Sequence, residues 1–360
     1  MKVLFFAQNG PLIPASRTRV FAYLPFLKAA GVHCDVITVV PDRFFVWSRS
    51  GWGWRRWMYY LCVVCRGFLM GFGVVWKTRC VQVVVSQRVL LPALPAWWLR
   101  RYRFKVVFDF DDAIFTTEHA EQGFVQRLRA WQHQKAMPRM LKAASHVIVE
   151  NRYTQHYALT YCPRVSIITG PIDTDRYAPL QKEVSESVVL GWIGSPSTTQ
   201  YLNEILKPLS ELGRRYPHLS LCLIGAGEFD VPGLSVKHIP WSLETEVANL
   251  NACDIGLMPL PDDPWTRGKG GYKLLQYLSM GLPVVASPVE INREIVRHGT
   301  TGFLAETPED WVVYVSQLIE NIAQRKQMGL LGRQDMMARY SLKDSSLRLL
   351  RILQSPGSAL

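Results

Sequence analysis

The chain has 360 residues, 48% of them hydrophobic, and carries 41 Lys and Arg against 29 Asp and Glu, a formal net charge of +12. That length and apolar content exclude a disordered or low-complexity chain and leave room for two domains. Residues 1–180 hold 24 basic and 10 acidic side chains while the remainder holds 17 and 19, so an anionic partner (a membrane surface, a phosphorylated substrate or nucleic acid) belongs to the first half.

Lys2–Ala7 reads as a buried strand, followed by the loop Gln8-Asn9-Gly10-Pro11. Ser16-Arg17-Thr18-Arg19 then opens a helix, with Ser16 as N-cap, that runs through Leu27 and closes at Gly31. Cys34–Val40 is the second strand, which gives the β-loop-α-β start of a doubly wound fold. Gly10 is not followed by a G-x-G-x-x-G pattern, so it is not a dinucleotide fingerprint. Arg17 and Arg19 follow the first strand directly, where a helix start faces the crevice of such a fold, and are candidates for holding a phosphate or an acceptor. Residues 43–79 interleave Trp47, Trp52, Trp54, Trp57, Tyr59 and Tyr60 with Arg43, Arg49, Arg55 and Arg56. Met58–Trp76 nearly reaches transmembrane length, but Arg66 and the glycines Gly67, Gly71 and Gly73 count against a span. Trp and Arg in this mixture suit lipid headgroups, so the stretch is read as contact with an anionic membrane. Aromatics among basic residues also suit single-stranded nucleic acid, but no nucleic-acid module accompanies them and none is expected.

Val81–Val85 is the third strand. Lys105–Phe108 is the fourth and ends in Asp109, Asp111 and Asp112. Carboxylates at the carboxyl end of a strand sit where catalysis occurs in open α/β sheets. They can act as a general base, bind a metal, or pair with arginines such as Arg17 and Arg19. Ala143–Glu150 and Val165–Thr169 are further strands, and the polar run Gln181–Ser187 marks a boundary. The seven scattered cysteines fit a reducing compartment. Cys62-x-x-Cys65 lacks a second pair at zinc spacing and reads as core. Met1–Ala7 is too short for a signal peptide.

The second half begins with strand Val188–Ile193. Gly194, Ser195, Ser197 and Thr198 follow at a helix start, the composition of a phosphate nest. Leu219–Ile224 is the next strand, and Val236–Trp241 follows it. The organising stretch is 254–288: a strand over Ile255–Met258, a loop with Arg267-Gly268-Lys269-Gly270-Gly271, a helix over Tyr272–Met280, and a strand from Val284. Lys269, Lys273 and Gln276 are spaced i, i+4 and i+7, one face of a helix, while Leu274, Leu275 and Leu278 face the sheet. Two ammonium groups behind Gly-Gly at a helix start suit a diphosphate. Gly302–Leu304 is a short strand, and helices complete the chain through Leu353.

This stretch resembles the donor segment of GT-B glycosyltransferases, most closely the retaining family 4 enzymes. Tyr277-Leu278-Ser279-Met280-Gly281-Leu282-Pro283-Val284-Val285-Ala286-Ser287 is similar to that family's helix-to-strand signature. Ser-Arg-x-Arg at 16–19 and Asp-Phe-Asp-Asp-Ala-Ile-Phe at 109–115 resemble one branch of the family, the one with a Gly-Lys loop and a Lys on the helix; Gly170–Tyr177 resembles the family's interdomain linker, and the segment Val236–Trp241 its base-binding stretch. Many members carry two glutamates eight positions apart, one for the donor sugar and one for the ribose. Here those positions hold Gly268 and Gln276.

The resemblance implies two doubly wound Rossmann-like domains facing across a crevice: residues 1–178 on the acceptor side, a linker at 179–187, a donor domain at 188–340, and a C-terminal helix and tail at 341–360 that returns toward the first domain. It implies transfer of a sugar, with retention, from a nucleotide sugar to a glycan or polyprenyl-linked acceptor in surface-polysaccharide synthesis. Lys269, Lys273 and the Gly194–Thr198 amides would hold the diphosphate without a metal or other cofactor. Gln276 would orient the ribose and Trp241 the base. Asp109, Asp111 or Asp112 would handle the acceptor hydroxyl, with Gly10, Arg17 and Arg19 on the acceptor side. The expected location is cytoplasmic, on the inner face of the plasma membrane. A non-catalytic scaffold of the same fold and a nucleotide-sugar epimerase are the alternatives.

Overall fold

A computed structural model describes residues 1–44, 81–91, 93–101, 105–116, 124–180 and 187–355, and between 45 and 80 only Trp54, Met58, Leu61, Cys65, Arg66 and Leu69. Most of the Trp–Arg stretch, Cys62 and the 181–186 run therefore lie outside the described residues. By its internal contacts the chain divides into two compact units. The first is Met1–Pro171 with Gly268–Gly270 and Leu342–Leu360; the second is Ile172–Arg267 with Gly271–Ser341.

The first unit is built on a six-stranded sheet of β1 (Lys2–Asn9), β2 (His33–Val40), β3 (Val83–Gln87), β4 (Lys105–Asp109), β5 (His146–Val149) and β6 (Val165–Ile167), in the order β2-β1-β3-β4-β5-β6. Every pairing is parallel. All residues of β3 and β4 are buried, as strands covered on both faces by helices must be. The chain leaves β1 toward β2 and reaches β3 on the other side, so the switch point of this sheet lies between β1 and β3, where the Gly10 loop and Gln87-Arg88 emerge.

The helix expected from Ser16 to Leu27 is broken in three. It consists of α1 (Pro14–Arg19), a 3-10 turn at Phe21–Tyr23, and α2 (Leu24–Ala29). Pro25 is the physical reason: it has no N–H to give and is tolerated only in a first turn, so a new helix begins just before it. Ser16 is accordingly inside α1 and not its N-cap, which is Ile13. The third strand sits two residues later than its apolar run suggests, because it buries Ser86 and Gln87 completely.

The second unit repeats the plan with β7 (Val188–Ile193), β8 (Leu219–Ile224), β9 (Ser235–Ile239), β10 (Ile255–Met258), β11 (Val284–Ala286) and β12 (Gly302–Leu304), ordered β12-β11-β10-β7-β8-β9. These pairings are parallel as well. The switch point falls between β7 and β10. One face of the sheet packs around Leu274, Leu278, Tyr277 and Val284; the other packs around Leu190, Trp192, Leu221 and Leu257. The loops leaving β7 and β10 at their carboxyl ends carry the Gly194 stretch and the approach to Lys273, so the fold brings these two motifs to one switch point.

Candidate active site

In the second unit β10 is followed, after its loop, by helix α3 (Tyr272–Ser279), whose N-cap Gly271 is left-handed at φ +67°. Glycine adopts that conformation without a Cβ penalty. The turn ends helical geometry at Gly271, so Lys269 precedes the helix and the expected face shared by Lys269, Lys273 and Gln276 reduces to Lys273 and Gln276. Lys269 counts with the first unit, where its carbonyl accepts from Asn151 Nδ2 at 2.9 Å.

Lys273 is half-buried, and its Nζ stands 3.8 Å from the ring centroid of Trp192 on β7. Gly194 lies beside both: a Cβ there would fall 2.3 Å from Trp192 Cη2 and 2.7 Å from Lys273 Nζ. The strand end and the lysine are thus in contact across the switch point.

Of the Gly194–Thr198 amides expected to form a nest, three are engaged within the fold. The Gly194 N–H donates to the Ile224 carbonyl at 3.0 Å and the Thr198 N–H to the Ser195 carbonyl at 2.9 Å. The Ser195 N–H donates to Thr198 Oγ1 at 3.1 Å, and Pro196 has no N–H. The segment Pro196–Ile205 is a 3-10 helix, in which tight local bonds take up these donors. What the loop exposes is hydroxyl: Ser195 and Ser197 Oγ atoms lie 2.9 Å apart, with Thr198 Oγ1 3.3 Å from Ser195. Beside Lys273, the Ser195, Ser197 and Thr198 hydroxyls are what this loop adds toward an anion.

Gln276 and Trp241 belong to a neighbouring network whose hub is Glu246, 2% exposed and absent from the sequence reading. Glu246 accepts from the Tyr177 hydroxyl and from the Trp241 indole N–H. Gln276, 4% exposed, donates its Nε2 to the Tyr177 oxygen at 3.2 Å. Burial, reinforced by Glu246, pushes the Tyr177 phenol up to about 12. A recess of about 420 Å³ is lined by Arg176, Leu243, Glu244 and Val247, and Arg176 already gives its Nη2 to the Leu243 carbonyl at 2.6 Å.

In the first unit Arg19 and Asp109 are internal. Arg19 is 2% exposed and Asp109 3%. Arg19 Nε meets Asp109 Oδ1 at 2.5 Å, and its Nη1 binds Glu150 and the carbonyls of Ile168 at 3.0 Å and Gly170 at 3.1 Å. The acceptor role expected of Arg19 and the catalytic role expected of Asp109 are therefore corrected: each neutralises the other inside the fold, with Glu150 as a third member that the sequence did not single out. Burial outweighs the arginine and holds the Asp109 carboxyl up at about 6 and that of Glu150 at about 8. Asp111 and Asp112 are more open. They pair with Arg88, whose Nε lies 3.1 Å from Asp111 and whose Nη1 lies 3.4 Å from Asp112. Arg88 is held at φ +58° beside the first switch point, an uncommon conformation for a non-glycine residue. Arg17 is half-buried and caps its own loop, reaching the Pro11 carbonyl at 3.4 Å and that of Leu12 at 3.3 Å. Gly10 lies against the Asp42 carboxylate, which a Cβ there would meet at 2.4 Å. Among the described residues no group of three or more His, Cys, Asp or Glu is placed to hold a metal ion.

Residues 187–321 match the family model described as glycosyl transferases group 1. This segment is similar to the group 1 glycosyltransferases. Its bounds take in Gly194, Trp241, Glu246, Lys273 and Gln276, so the Lys273 site and the Glu246 network both lie within the matched segment. Solved structures agree on the fold, which is GT-B. Anabaena Alr3699/HepE in complex with UDP and glucose aligns with a TM-score of 0.67 at 16% identity, covering 99% of this chain and 100% of that one. Sucrose-phosphate synthase (tll1590) from Thermosynechococcus elongatus gives 0.70 at 14% identity, covering 98% of both chains. WaaG, a glycosyltransferase involved in lipopolysaccharide biosynthesis, gives 0.66 at 15% identity, covering 98% of this chain and 100% of that one. No curated protein sequence matches the chain.

Proposed function

We propose that the chain moves a sugar, with retention, from a nucleoside-diphosphate sugar to a hydroxyl of a glycan or polyprenyl-linked acceptor during surface-glycan assembly. The observation that carries this is the Lys273 ammonium held beside Gly194 at the second switch point. In the reaction the bond from the anomeric carbon to the diphosphate oxygen breaks and a bond to the acceptor oxygen forms. The leaving diphosphate gains negative charge, which a fixed ammonium stabilises more in the transition state than in the ground state. Ser195, Ser197 and Thr198 add hydroxyl donors. Of the three carboxylates Asp109, Asp111 and Asp112, the last two are the less buried, and we assign to them the orienting of the acceptor hydroxyl and the taking of its proton. Support for the donor class comes from the similarity to group 1 glycosyltransferases and from HepE, which was crystallised with UDP and with UDP-glucose. Support for the acceptor class comes from WaaG.

The test is transfer from a panel of UDP- and GDP-sugars to lipid-linked and free glycan acceptors, by wild type and Lys273→Ala, with and without EDTA. We expect at least a hundredfold loss of kcat in the variant, the scale of removing one charge-stabilising donor, and no effect of EDTA. Turnover by Lys273→Ala at the wild-type rate refutes the diphosphate assignment. UDP binding without turnover on any acceptor supports the scaffold alternative instead.

The acceptor class leads to a place of work at the inner face of a membrane. No helix among the described residues is long and apolar enough to cross one. Trp54, Met58, Leu61 and Leu69 are each helical and 44–69% exposed, in the half of the chain that carries the basic excess. Exposed apolar side chains in a basic half suit an anionic lipid surface. Flotation with phosphatidylglycerol vesicles should carry the protein, and Trp54→Ser with Leu61→Ser should release it. Equal flotation with neutral phosphatidylcholine would remove the electrostatic part of this reading.

A further inference from the structure

Trp192 is one of the largest fully buried side chains in the protein, and its ring face meets an ammonium. It lies on β7, two residues before Gly194, and Lys273 lies in the first turn of α3. The three positions fix one another. Gly194 lacks a Cβ, and the space that a Cβ would take holds the Trp192 ring edge, at 2.3 Å and 2.7 Å for Cη2 and Cζ2, and the Lys273 Nζ, at 2.7 Å.

We propose that Trp192 is the positioning residue for Lys273: its indole face holds the ammonium at the end of β7 before the nucleotide arrives. The inference rests on the reading of Lys273 as the partner of the diphosphate. Its physical basis is the difference between a ring and a carboxylate as a support for a cation. A carboxylate would orient the lysine and neutralise it. The negative face of an indole orients the ammonium through its quadrupole and adds no formal charge of its own. A lysine stem has four carbons and considerable rotamer freedom, and a charge that stabilises a transition state works best when it needs no reorganisation. Trp192 is itself immobile, packed in a core with Leu190, Leu221 and Leu257, so the ammonium is referenced to the sheet.

The experiment is a double-mutant cycle read by calorimetric titration of UDP into folded protein, with the circular dichroism melt of each variant as a folding check. Trp192→Met keeps an apolar side chain of useful volume and removes the ring; Trp192→Phe keeps a ring. We expect Trp192→Met to weaken UDP binding about tenfold, the scale of a partly desolvated cation–π contact, and Trp192→Phe to restore it to within about threefold. In a Lys273→Ala background Trp192→Met should change UDP affinity no further, because the ring acts only through the lysine. A Trp192→Met loss that persists undiminished in the Lys273→Ala background overturns the proposal, and so does wild-type affinity in a folded Trp192→Met protein. Should Trp192→Met not fold, biosynthetic incorporation of mono-, di- and trifluorinated tryptophan removes negative charge from the ring face at nearly constant shape. UDP affinity must then fall stepwise with Lys273 present and stay flat in Lys273→Ala; parallel falls in both overturn the proposal. If Lys273→Ala alone binds UDP as well as wild type does, it is the diphosphate reading that fails, and the cycle separates that result from failure of the Trp192 role.

Discussion

Replacing Arg19 by Met should damage folding far more than chemistry. The substitution keeps most of the volume and removes a guanidinium that serves two carboxylates, Asp109 and Glu150, and the carbonyls of Ile168 and Gly170. Breaking a buried ion pair by removing one partner costs about 3–5 kcal/mol, because the other charge stays buried without compensation. Each carbonyl left without a donor adds about 1–3 kcal/mol. Against a usual domain stability of about 5–15 kcal/mol, the variant should lose about 5 kcal/mol or more at pH 8, read as a shift in the urea midpoint followed by circular dichroism. The loss should shrink on acidification, and the sign follows from protons. Burial already raises Asp109 to about 6 and Glu150 to about 8 in the folded chain, above the ordinary carboxylate values near 4. The folded state therefore binds more protons than the unfolded state between about pH 4 and pH 8. The contribution of this cluster is fully present below the unfolded values and is lost as pH rises through the folded ones. Without Arg19 both carboxyls move further up, so the variant titrates more steeply and is closer to wild type at pH 5 than at pH 8. A loss below about 1 kcal/mol, or a loss identical at pH 5 and pH 8, would refute the reasoning and return Arg19 to the acceptor-side role that its sequence position suggests.

Two other substitutions test smaller geometric claims. Gly194→Ala places a methyl 2.3 Å from the buried Trp192 ring and 2.7 Å from Lys273 Nζ; the ring or the strand end must shift to relieve the overlap and the ammonium is displaced with it, so UDP affinity should fall severalfold with about 1–3 kcal/mol of stability, whereas wild-type binding by a calorimetric titration would show that the lysine is not confined there. Glu290 is a non-glycine residue at φ +36°; Glu290→Gly should raise the urea midpoint by the equivalent of about 1 kcal/mol, and a fall in midpoint would mean that its side chain contributes more than the strain costs.

The fold was legible because its signals are redundant. Val188–Ile193 and Leu219–Ile224 are apolar runs bounded by turn residues, and both strands have those bounds in the structure. Gly281-Leu282-Pro283 ends a helix and starts a strand by backbone chemistry alone, without reference to distant residues. The failures have the opposite character. The break in the first helix comes from Pro25, whose position in a first turn is a choice between a kinked helix and a new start. The apolar run Val81–Val85 puts the third strand two residues early because Ser86 and Gln87 are polar, yet Gln87 accepts the Ser16 hydroxyl at 2.9 Å in the interior.

Charged residues were the least legible, for a reason that Arg17 and Arg19 make concrete. Two residues apart in one short helix, they point to different sides: Arg17 half-exposed over its own loop, Arg19 into the interior. Sequence tells that a charge exists, not whether another chain segment has already neutralised it. Glu150, at sequence distance 131 from Arg19, and Glu246, at distance 69 from Tyr177, became visible only when the strands and loops were placed. The same holds in reverse for Lys273. Its functional weight comes from Trp192, a residue that in the sequence is one more apolar position in a buried strand. The i+2 spacing of Trp192 and Gly194 was available as a signal. A large ring two residues before a glycine at a strand's carboxyl end leaves space over the ring's edge for a side chain from the neighbouring strand's loop, and at a switch point that neighbour is the element that follows β10.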